Sequence, residues 1–181
     1  MRILAALLAL SAAAMAGSAP PVIRPTPEFT VHEPSGKQIP LSSLRGKVVV
    51  LTFMFTTCPH CQAEAHMLTG LEREMGPRGL QVLGVAFNDN ASVLVPGFVQ
   101  EYQVGFPVGA SDRGSVLNYL GVSEMTRWVV PQVVVIDKKG NIRAQSPSMG
   151  DPNLQAETYM RDLIESLLKE PGGAVKRTGR R

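Results

Sequence analysis

Cysteine and histidine are both scarce in this chain of 181 residues, which contains two cysteines and three histidines. Cys58 and Cys61 are close neighbours in the chain, so a disulfide between them would close a very small loop and remove little entropy from the unfolded state. Stabilisation by cross-linking is therefore excluded as their purpose. A structural zinc site needs a full tetrahedral set of ligands, and with so few candidates we predict no metal.

An excess of charge of one sign is also absent. The 18 basic and 15 acidic side chains give a formal net charge of +3, which is too small to indicate a nucleic-acid partner. The last basic residues stand in a glycine-rich stretch, and we expect residues 170–181 to form a disordered, solvated tail. A membrane-binding patch there is the less favoured interpretation.

The longest apolar run lies at the N terminus and is short for a membrane span. Ile3–Ala16 contains a single polar residue, Ser11, whereas a spanning helix needs about 20 apolar residues. Ala14-Met15-Ala16 places small residues where a signal peptidase recognises them, and Gly17 follows. We predict a signal peptide over residues 1–16, export to the periplasm or another extracytoplasmic compartment, and no stable membrane span after cleavage. An uncleaved anchor is the weaker alternative.

The rest of the chain has the composition of one globular domain, with 44% hydrophobic and 18% charged residues. Continuous apolar runs predict strands buried on both faces, and they alternate with stretches of helical periodicity. We predict an α/β fold with a central mixed β-sheet flanked by helices and an N-terminal β-hairpin extension. The domain should span residues 29–169, after a proline-rich, extended lead-in over residues 17–28.

The individual elements follow from the same periodicities. The predicted strands are a hairpin of Phe29–Val31 and Ile39–Leu41, then Val48–Phe55, Gln81–Phe87, a short extended segment at Phe106–Val108, and the hairpin strands Gln132–Asp137 and Ile142–Gln145. The predicted helices are one after the cysteines up to Met75, one that buries Val93, Val95 and Phe98, a short one over Gly114–Leu120, and one over Leu154–Lys169.

The two cysteines stand between a predicted buried strand and a predicted helix, in the order Cys58-Pro59-His60-Cys61. Thiols at this spacing can close a small disulfide ring that opens and shuts with modest backbone movement. Pro59 suits the first turn of a helix because its missing amide hydrogen is not needed there. The motif indicates redox chemistry, although cysteines at this spacing also occur in metal and haem sites.

These features resemble the thioredoxin superfamily over Phe29–Lys169, in particular its exported redoxin and TlpA-like members, which are related to alkyl hydroperoxide reductases and thiol-specific antioxidant proteins. The resemblance rests on the strand, cysteine pair and helix, on Val130-Pro131 before a hairpin strand, and on the strand-turn-strand segment Val134–Ile142. It implies a thioredoxin-like three-layer fold and a thiol-disulfide oxidoreductase that needs no cofactor.

The resemblance also implies how the cysteine motif works, with Cys58 and Cys61 forming a redox-active disulfide. Cys58, at the start of a helix whose free amides and dipole stabilise an anion, would be the attacking nucleophile. Cys61, one turn further along, would resolve the mixed disulfide. His60 would favour the Cys58 thiolate and so take part in catalysis.

Substrate binding is implied for Pro59, Val130 and Pro131. A cis Val130–Pro131 bond would let the backbone of a substrate pair with Val130 in an extended manner. We expect the partners to be cysteine-containing exported proteins and a redox partner protein, and we expect a monomer. The sequence leaves open whether the protein donates or accepts disulfides.

The chain departs from the thioredoxin pattern next to the cysteines. Thr52 stands where thioredoxins carry a buried acid and many exported relatives an amide, and Thr57 replaces the aromatic residue common before the first cysteine. Proton transfer to and from Cys61 cannot then use a carboxylate at position 52. Glu64 and Asp89 are nearby acids in the sequence, and neither is assigned as the base.

A peroxiredoxin-like thiol peroxidase is one alternative, since Phe106–Asp112 resembles a segment of those enzymes. They carry a hydroxyl residue where this chain has Phe55 and an arginine where it has Pro131, and these groups polarise the peroxide. Their absence argues against fast peroxide reduction, while Arg113 or Arg127 as substitutes keep the alternative open.

A copper(I)-binding, SCO-like metallochaperone is the other alternative, since Phe55–Pro59 resembles that family. That family spaces its cysteines further apart and has a distant downstream histidine, whereas the last histidine here is His66. Gln62 stands where haem attachment would need histidine. Disulfide exchange with protein cysteines is therefore the preferred function.

Overall fold

The computed structural model describes residues 23–172. The predicted signal peptide lies outside these residues, as does the C-terminal tail from residue 173 onward. Within the described range, no helix is both long enough and apolar enough to cross a membrane. The predicted domain, residues 29–169, falls entirely inside this range.

The described residues form strands and helices that alternate through the middle of the chain. The strands are β1 (Arg24–Pro25), β2 (Thr30–His32), β3 (Gln38–Pro40), β4 (Val48–Met54), β5 (Leu80–Ala86), β6 (Val108–Ala110), β7 (Gln132–Ile136) and β8 (Asn141–Gln145). The helices are α1 (Pro59–Met75), α2 (Ala91–Glu101), α3 (Arg113–Leu120) and α4 (Glu157–Lys169), with short 3-10 turns at Leu41–Leu44 and Gly76–Arg78.

The strands join one mixed sheet in the order β1-β8-β7-β4-β5-β6-β2-β3. The central strands β4, β5 and β6 are parallel, whereas β7 runs antiparallel to β4 and β8 antiparallel to β7. The β2–β3 hairpin extends the sheet beyond β6. The predicted mixed sheet and its N-terminal hairpin extension are confirmed.

Strand β4 is buried along its whole length, as its continuous apolar sequence predicts. On one face, Val50 and Met54 belong to a core cluster that includes Leu68 of α1 and Ile164 of α4. On the other face, Phe53 belongs to a second cluster that α3 covers. Apolar side chains buried on both faces therefore fix β4 in the centre of the domain, and this strand leads to Cys58.

The lead-in before the hairpin is tied to the opposite edge of the sheet. Strand β1 pairs antiparallel with β8. The backbone amide of Thr26 donates to the carbonyl of Gly140 at 2.9 Å, and its hydroxyl shares a hydrogen bond of 2.8 Å with the hydroxyl of Tyr119. From Arg24 onward, the segment predicted as an extended lead-in thus covers the edge of strand β8.

One helix prediction needs correction at a single position. Val93 was expected on the buried face of α2 and is 76% exposed, whereas Val95 and Phe98 are buried. Val95 and Phe98 are three residues apart and share a face of the helix, and Val93 lies off that face. Pro96 is accommodated inside α2.

Two elements begin two or more residues later than predicted. The strand expected at Phe106–Val108 begins at Val108 and continues to Ala110, because Pro107 has no amide hydrogen to donate to a neighbouring strand. Helix α4 begins at Glu157 instead of Leu154, although the Leu154 side chain is buried in the core cluster of α1 and α4.

The close pairing of β6 with β2 makes a test of this packing possible at Gly109. A Cβ atom there would lie 2.6 Å from the carbonyl oxygen of His32 and 2.7 Å from Cγ1 of Val31. We expect Gly109→Ala to lower the free energy of unfolding by about 1–3 kcal/mol in urea denaturation, since β2 would have to move.

The matched control is Gly97→Ala in α2, where nothing lies within 4 Å of the added Cβ. Alanine should stabilise this helix by up to about 1 kcal/mol, because it loses less backbone entropy on folding than glycine does. Equal stability of the two variants would contradict the described packing of β6 on β2.

Candidate active site

Cys58 lies at the junction of β4 and α1. It is the residue that caps the helix, with an extended backbone (φ −89°, ψ 121°), and Pro59 takes the first helical position. The amide of Gln62 donates to the carbonyl of Cys58 at 3.0 Å and closes the first turn. The unpaired amides at the start of α1 therefore lie next to Cys58, as the position of the motif predicts.

The two thiols differ in their access to solvent. Both cysteines are free, Cys58 being half-buried and Cys61 fully buried against β4 and the core of α1. An external disulfide can therefore reach Cys58 and cannot reach Cys61 directly. The burial of Cys61 leaves the sulfur of the neighbouring Cys58 as the sulfur that Cys61 can reach.

Burial also controls the protonation of the inner thiol. It raises the pKa of Cys61 well above the ordinary value, and a backbone hydrogen bond from Phe55 opposes this shift only partly. The neighbouring Cys58 and the negative charge of Glu64 raise the pKa of Cys61 further. Since the thiolate is the nucleophile, Cys61 needs a base that takes its proton.

Glu64 is a buried carboxyl group whose charge acts on Cys61. It lies one turn after Cys61 on the buried side of α1 and is 4% exposed. The hydroxyl of Thr52 in β4 donates to Glu64 Oε2 at 2.5 Å, whereas Oε1 is buried and has no hydrogen-bond partner among residues 23–172. Burial raises the pKa of Glu64 to about 7, and the Thr52 hydrogen bond lowers it. This carboxyl group can therefore gain or lose a proton near neutral pH.

The sequence alone does not identify the proton partner of Cys61, since position 52 holds a threonine and no carboxylate. In the structure a carboxylate reaches Thr52 from α1 instead. The buried residues of α1 recur every three or four positions, and Glu64 falls on that stripe together with Cys61 and Leu68. This periodicity is the sequence signal that could have identified Glu64. A charged residue among the buried positions of a helix is costly to bury, so its presence there indicates a function. Asp89, the other acid considered, is exposed.

The proline loop lies beside the cysteine loop. The Val130–Pro131 bond is cis, as the resemblance implies. Strand β7 begins directly after it, and Gln132 lies opposite Phe53 in the antiparallel β4–β7 pair. Continuing this register places Pro131 and Val130 next to the end of β4 and the loop to Cys58. Val130 and Cys58 also pack against the same core cluster.

Two sets of contacts hold the segment before the proline. The side-chain nitrogen Nε2 of Gln132 donates to the carbonyl of Val129 at 2.9 Å. Trp128 packs edge-on against Phe55 with 5.9 Å between ring centroids, and the guanidinium of Arg113 lies 4.9 Å from the centroid of the Trp128 ring. Phe55 therefore sits among aromatic rings, and Arg113 is stacked on Trp128.

The histidines occupy exposed positions. His60 lies in the first turn of α1 between the two cysteines, and His66 is exposed on the same helix, on a different face from buried Cys61. His32 is exposed on β2. In the described part of the chain, no three histidine, cysteine or acidic side chains are grouped so as to hold a metal ion.

Comparison with known proteins identifies related chains. The model of the AhpC/TSA family matches residues 22–145. The thiol-disulfide oxidoreductase ResA of Bacillus thuringiensis is 29% identical over 137 residues, which are 76% of this chain and 75% of ResA. Protein DipZ of Mycobacterium tuberculosis is 30% identical over 138 residues, which are 74% of this chain and 19% of DipZ.

Solved structures agree with the fold. A putative thiol:disulfide interchange protein DsbE from Chlorobium tepidum matches with a TM-score of 0.66 at 21% identity, covering 80% of this chain and 95% of that one. A secreted disulfide oxidoreductase of Mycobacterium tuberculosis matches with a TM-score of 0.60 at 22% identity, covering 77% and 96%. The predicted thioredoxin-like fold is thus confirmed.

The buried carboxyl group makes stability depend on pH. The pKa of Glu64 is about 7 in the folded chain and has an ordinary value of 4.5, so between these values the folded state keeps a proton that the unfolded state has lost. The free energy of unfolding should fall as pH rises through this window, by at most about 3 kcal/mol, and then level off.

Glu64→Gln should abolish this slope. It should also be more stable than the unchanged chain at pH values above the window, because burying a neutral amide avoids the free-energy cost of burying a charged carboxylate. The measurement is urea denaturation across that pH range, with Glu124→Gln at an exposed loop position as the control. If the free energy of unfolding depended on pH in the same way for Glu64→Gln and the unchanged chain, Glu64 would not titrate in this way.

Proposed function

Because this chain belongs to the AhpC/TSA family and is a thiol-disulfide oxidoreductase, we propose that it exchanges disulfides with the cysteines of exported proteins through a mixed disulfide at Cys58, which Cys61 resolves. The observation that supports this most strongly is the contrast between the two thiols. One is accessible at a helix N-terminus, and the other is buried beside a carboxyl group whose pKa is about 7.

The exchange proceeds in two attacks. The Cys58 thiolate attacks one sulfur of a substrate disulfide, so that a bond forms between Cys58 and the substrate and the other substrate sulfur leaves as a thiolate. Cys61 then attacks the sulfur of Cys58, the Cys58–Cys61 disulfide forms, and the second substrate sulfur leaves. An electron pair passes from the protein to the substrate, and the reverse sequence oxidises a substrate dithiol.

Glu64 serves the second attack. Its carboxylate takes the proton of Cys61 as that thiol attacks, and returns it when the disulfide is reduced again. The Thr52 hydroxyl orients the carboxyl group through the hydrogen bond to Oε2, which leaves Oε1 as the oxygen available for the proton. A base with a pKa near 7 is partly ionised at neutral pH, so it can work in both directions.

Substrate recognition is assigned to the surface around Cys58. Pro59 would contact the substrate from the start of α1, and Val130 and Pro131 would contact it from the loop before β7. An extended substrate segment would lie along Val130, as in strand addition to a sheet edge. His60, exposed in the first turn of the helix, would take part in catalysis by donating a hydrogen bond to the Cys58 sulfur.

The cellular setting follows from the N-terminal sequence. A signal peptide over residues 1–16 would export the chain, so that its substrates are cysteine-containing proteins outside the cytoplasm. Continued turnover requires a redox partner protein that restores the state of Cys58 and Cys61 after each exchange. The folded domain of residues 29–169, carried by a monomer, would then contain the complete site.

The peroxidase alternative gains no support from the site. Phe55, at the position where those enzymes place a hydroxyl, packs against Phe87 with 4.8 Å between ring centroids and against Trp128. Arg113 is held on the face of Trp128. The phenyl ring of Phe55 supplies no hydrogen bond that could polarise a peroxide from that position.

Single cysteine variants test which thiol forms the mixed disulfide. Reduced Cys61→Ala, mixed with oxidised glutathione, should keep one glutathione attached to Cys58, because no second thiol can release it. Intact-mass measurement detects the adduct, and dithiothreitol should remove it. Reduced Cys58→Ala is the control and should stay largely unmodified, since its remaining thiol is buried. Adducts of equal yield in both variants would contradict the assignment.

A further inference from the structure

The peptide of Thr56, in the loop that leads to Cys58, is held by side chains from two other parts of the chain. Its amide donates to Asn88 Oδ1 at 2.9 Å, and its hydroxyl donates to the same oxygen at 3.3 Å. Its carbonyl accepts from Gln62 Nε2 at 3.0 Å. Thr56 is 6% exposed, so these bonds satisfy backbone groups that have little access to water.

The two side chains approach the loop from opposite directions. Asn88 follows β5, which is the parallel neighbour of β4 and ends level with it, since Ala86 pairs with Met54. Gln62 lies in the first turn of α1, and its own amide bonds to the carbonyl of Cys58. The loop is therefore fixed on one side to the sheet and on the other to the active-site helix.

This arrangement bears on the second attack of the proposed exchange. A disulfide tolerates only a narrow range of distances and torsions between its two residues. Cys61 is held by the buried face of α1, whereas Cys58 precedes the helix and depends for its position on the loop that contains Thr56. When substrate is attached to Cys58, the loop must still present the Cys58 sulfur to Cys61.

We propose that Asn88 and Gln62 are positioning residues that, through the Thr56 peptide, hold Cys58 where Cys61 can attack it. This inference rests on the proposed function and adds to it. The hydrogen bonds that carry this role end on Thr56 and not on the reacting sulfurs. Loss of either bond should leave the first attack unchanged, because a substrate from solution can adjust to a displaced Cys58, and should slow the second attack, because Cys61 cannot adjust.

The two attacks can be timed separately with an aromatic disulfide that releases a coloured thiolate at each step. Reduced protein should release the first thiolate when Cys58 attacks and the second when Cys61 resolves the adduct. We expect Asn88→Ala and Gln62→Met each to slow the second release by about tenfold and to change the first by less than about twofold. Intact mass then verifies that the product is the Cys58–Cys61 disulfide.

The double variant tests whether both side chains act through the same peptide. Once one of the two hydrogen bonds to the loop is lost, loss of the other should slow the second release less than it does alone. The double variant should therefore slow the second release by clearly less than the product of the two single effects. Asn118→Ala and Gln81→Met are the matched controls, on α3 and β5, and should change neither release. Circular dichroism and urea midpoints establish that every variant is folded under the assay conditions.

The outcomes separate the inference from the function on which it rests. Slower second release with unchanged first release supports the positioning role. Unchanged rates in both variants, or equal slowing of both releases, would overturn it, since equal slowing is the mark of a general structural defect. If the unchanged chain releases no second thiolate, resolution by Cys61 fails, and the proposed function falls together with the inference.

Discussion

The burial of the first turns of α1 against β4 is the constraint on which the site depends. It gives two chemically identical thiols different environments. Cys58 stays within reach of solvent at the helix N-terminus, and Cys61 is enclosed in the core. Enclosure raises the pKa of Cys61 and so removes its reactivity at neutral pH. The same packing buries Glu64, whose raised pKa makes it a base of suitable strength.

The sheet brings the other parts of the site to this point. Strands β4 and β5 are parallel and end at the same edge, while β7 is antiparallel to β4 and begins there. The loops after β4 and β5 and the loop before β7 therefore meet, and they carry Cys58, Asn88 and Pro131 respectively. Ligand and substrate sites of α/β sheets are expected at this edge, beyond the carboxyl ends of the parallel strands.

Much of this could be predicted from local sequence. The continuous apolar run of β4, the turn that joins β7 to β8 and the position of the cysteines at a strand–helix junction all have short-range signals. The contacts that complete the site do not. Glu64 resembles an ordinary charged helix residue until its place on the buried stripe is considered, and its partner Thr52 lies 12 residues away. Asn88 and Thr56 are 32 residues apart, so only the sheet brings them together.

The central claim is that Glu64 accepts the proton of Cys61 during resolution, and the rate of that step as a function of pH tests it most directly. In stopped-flow measurements on the Cys58 mixed disulfide, the unchanged chain should resolve faster as pH rises through about 7, the pKa of Glu64. Glu64→Gln should be slower by about 100-fold and lack that step in its profile. A Glu64→Gln variant with the rate and pH profile of the unchanged chain would contradict the account.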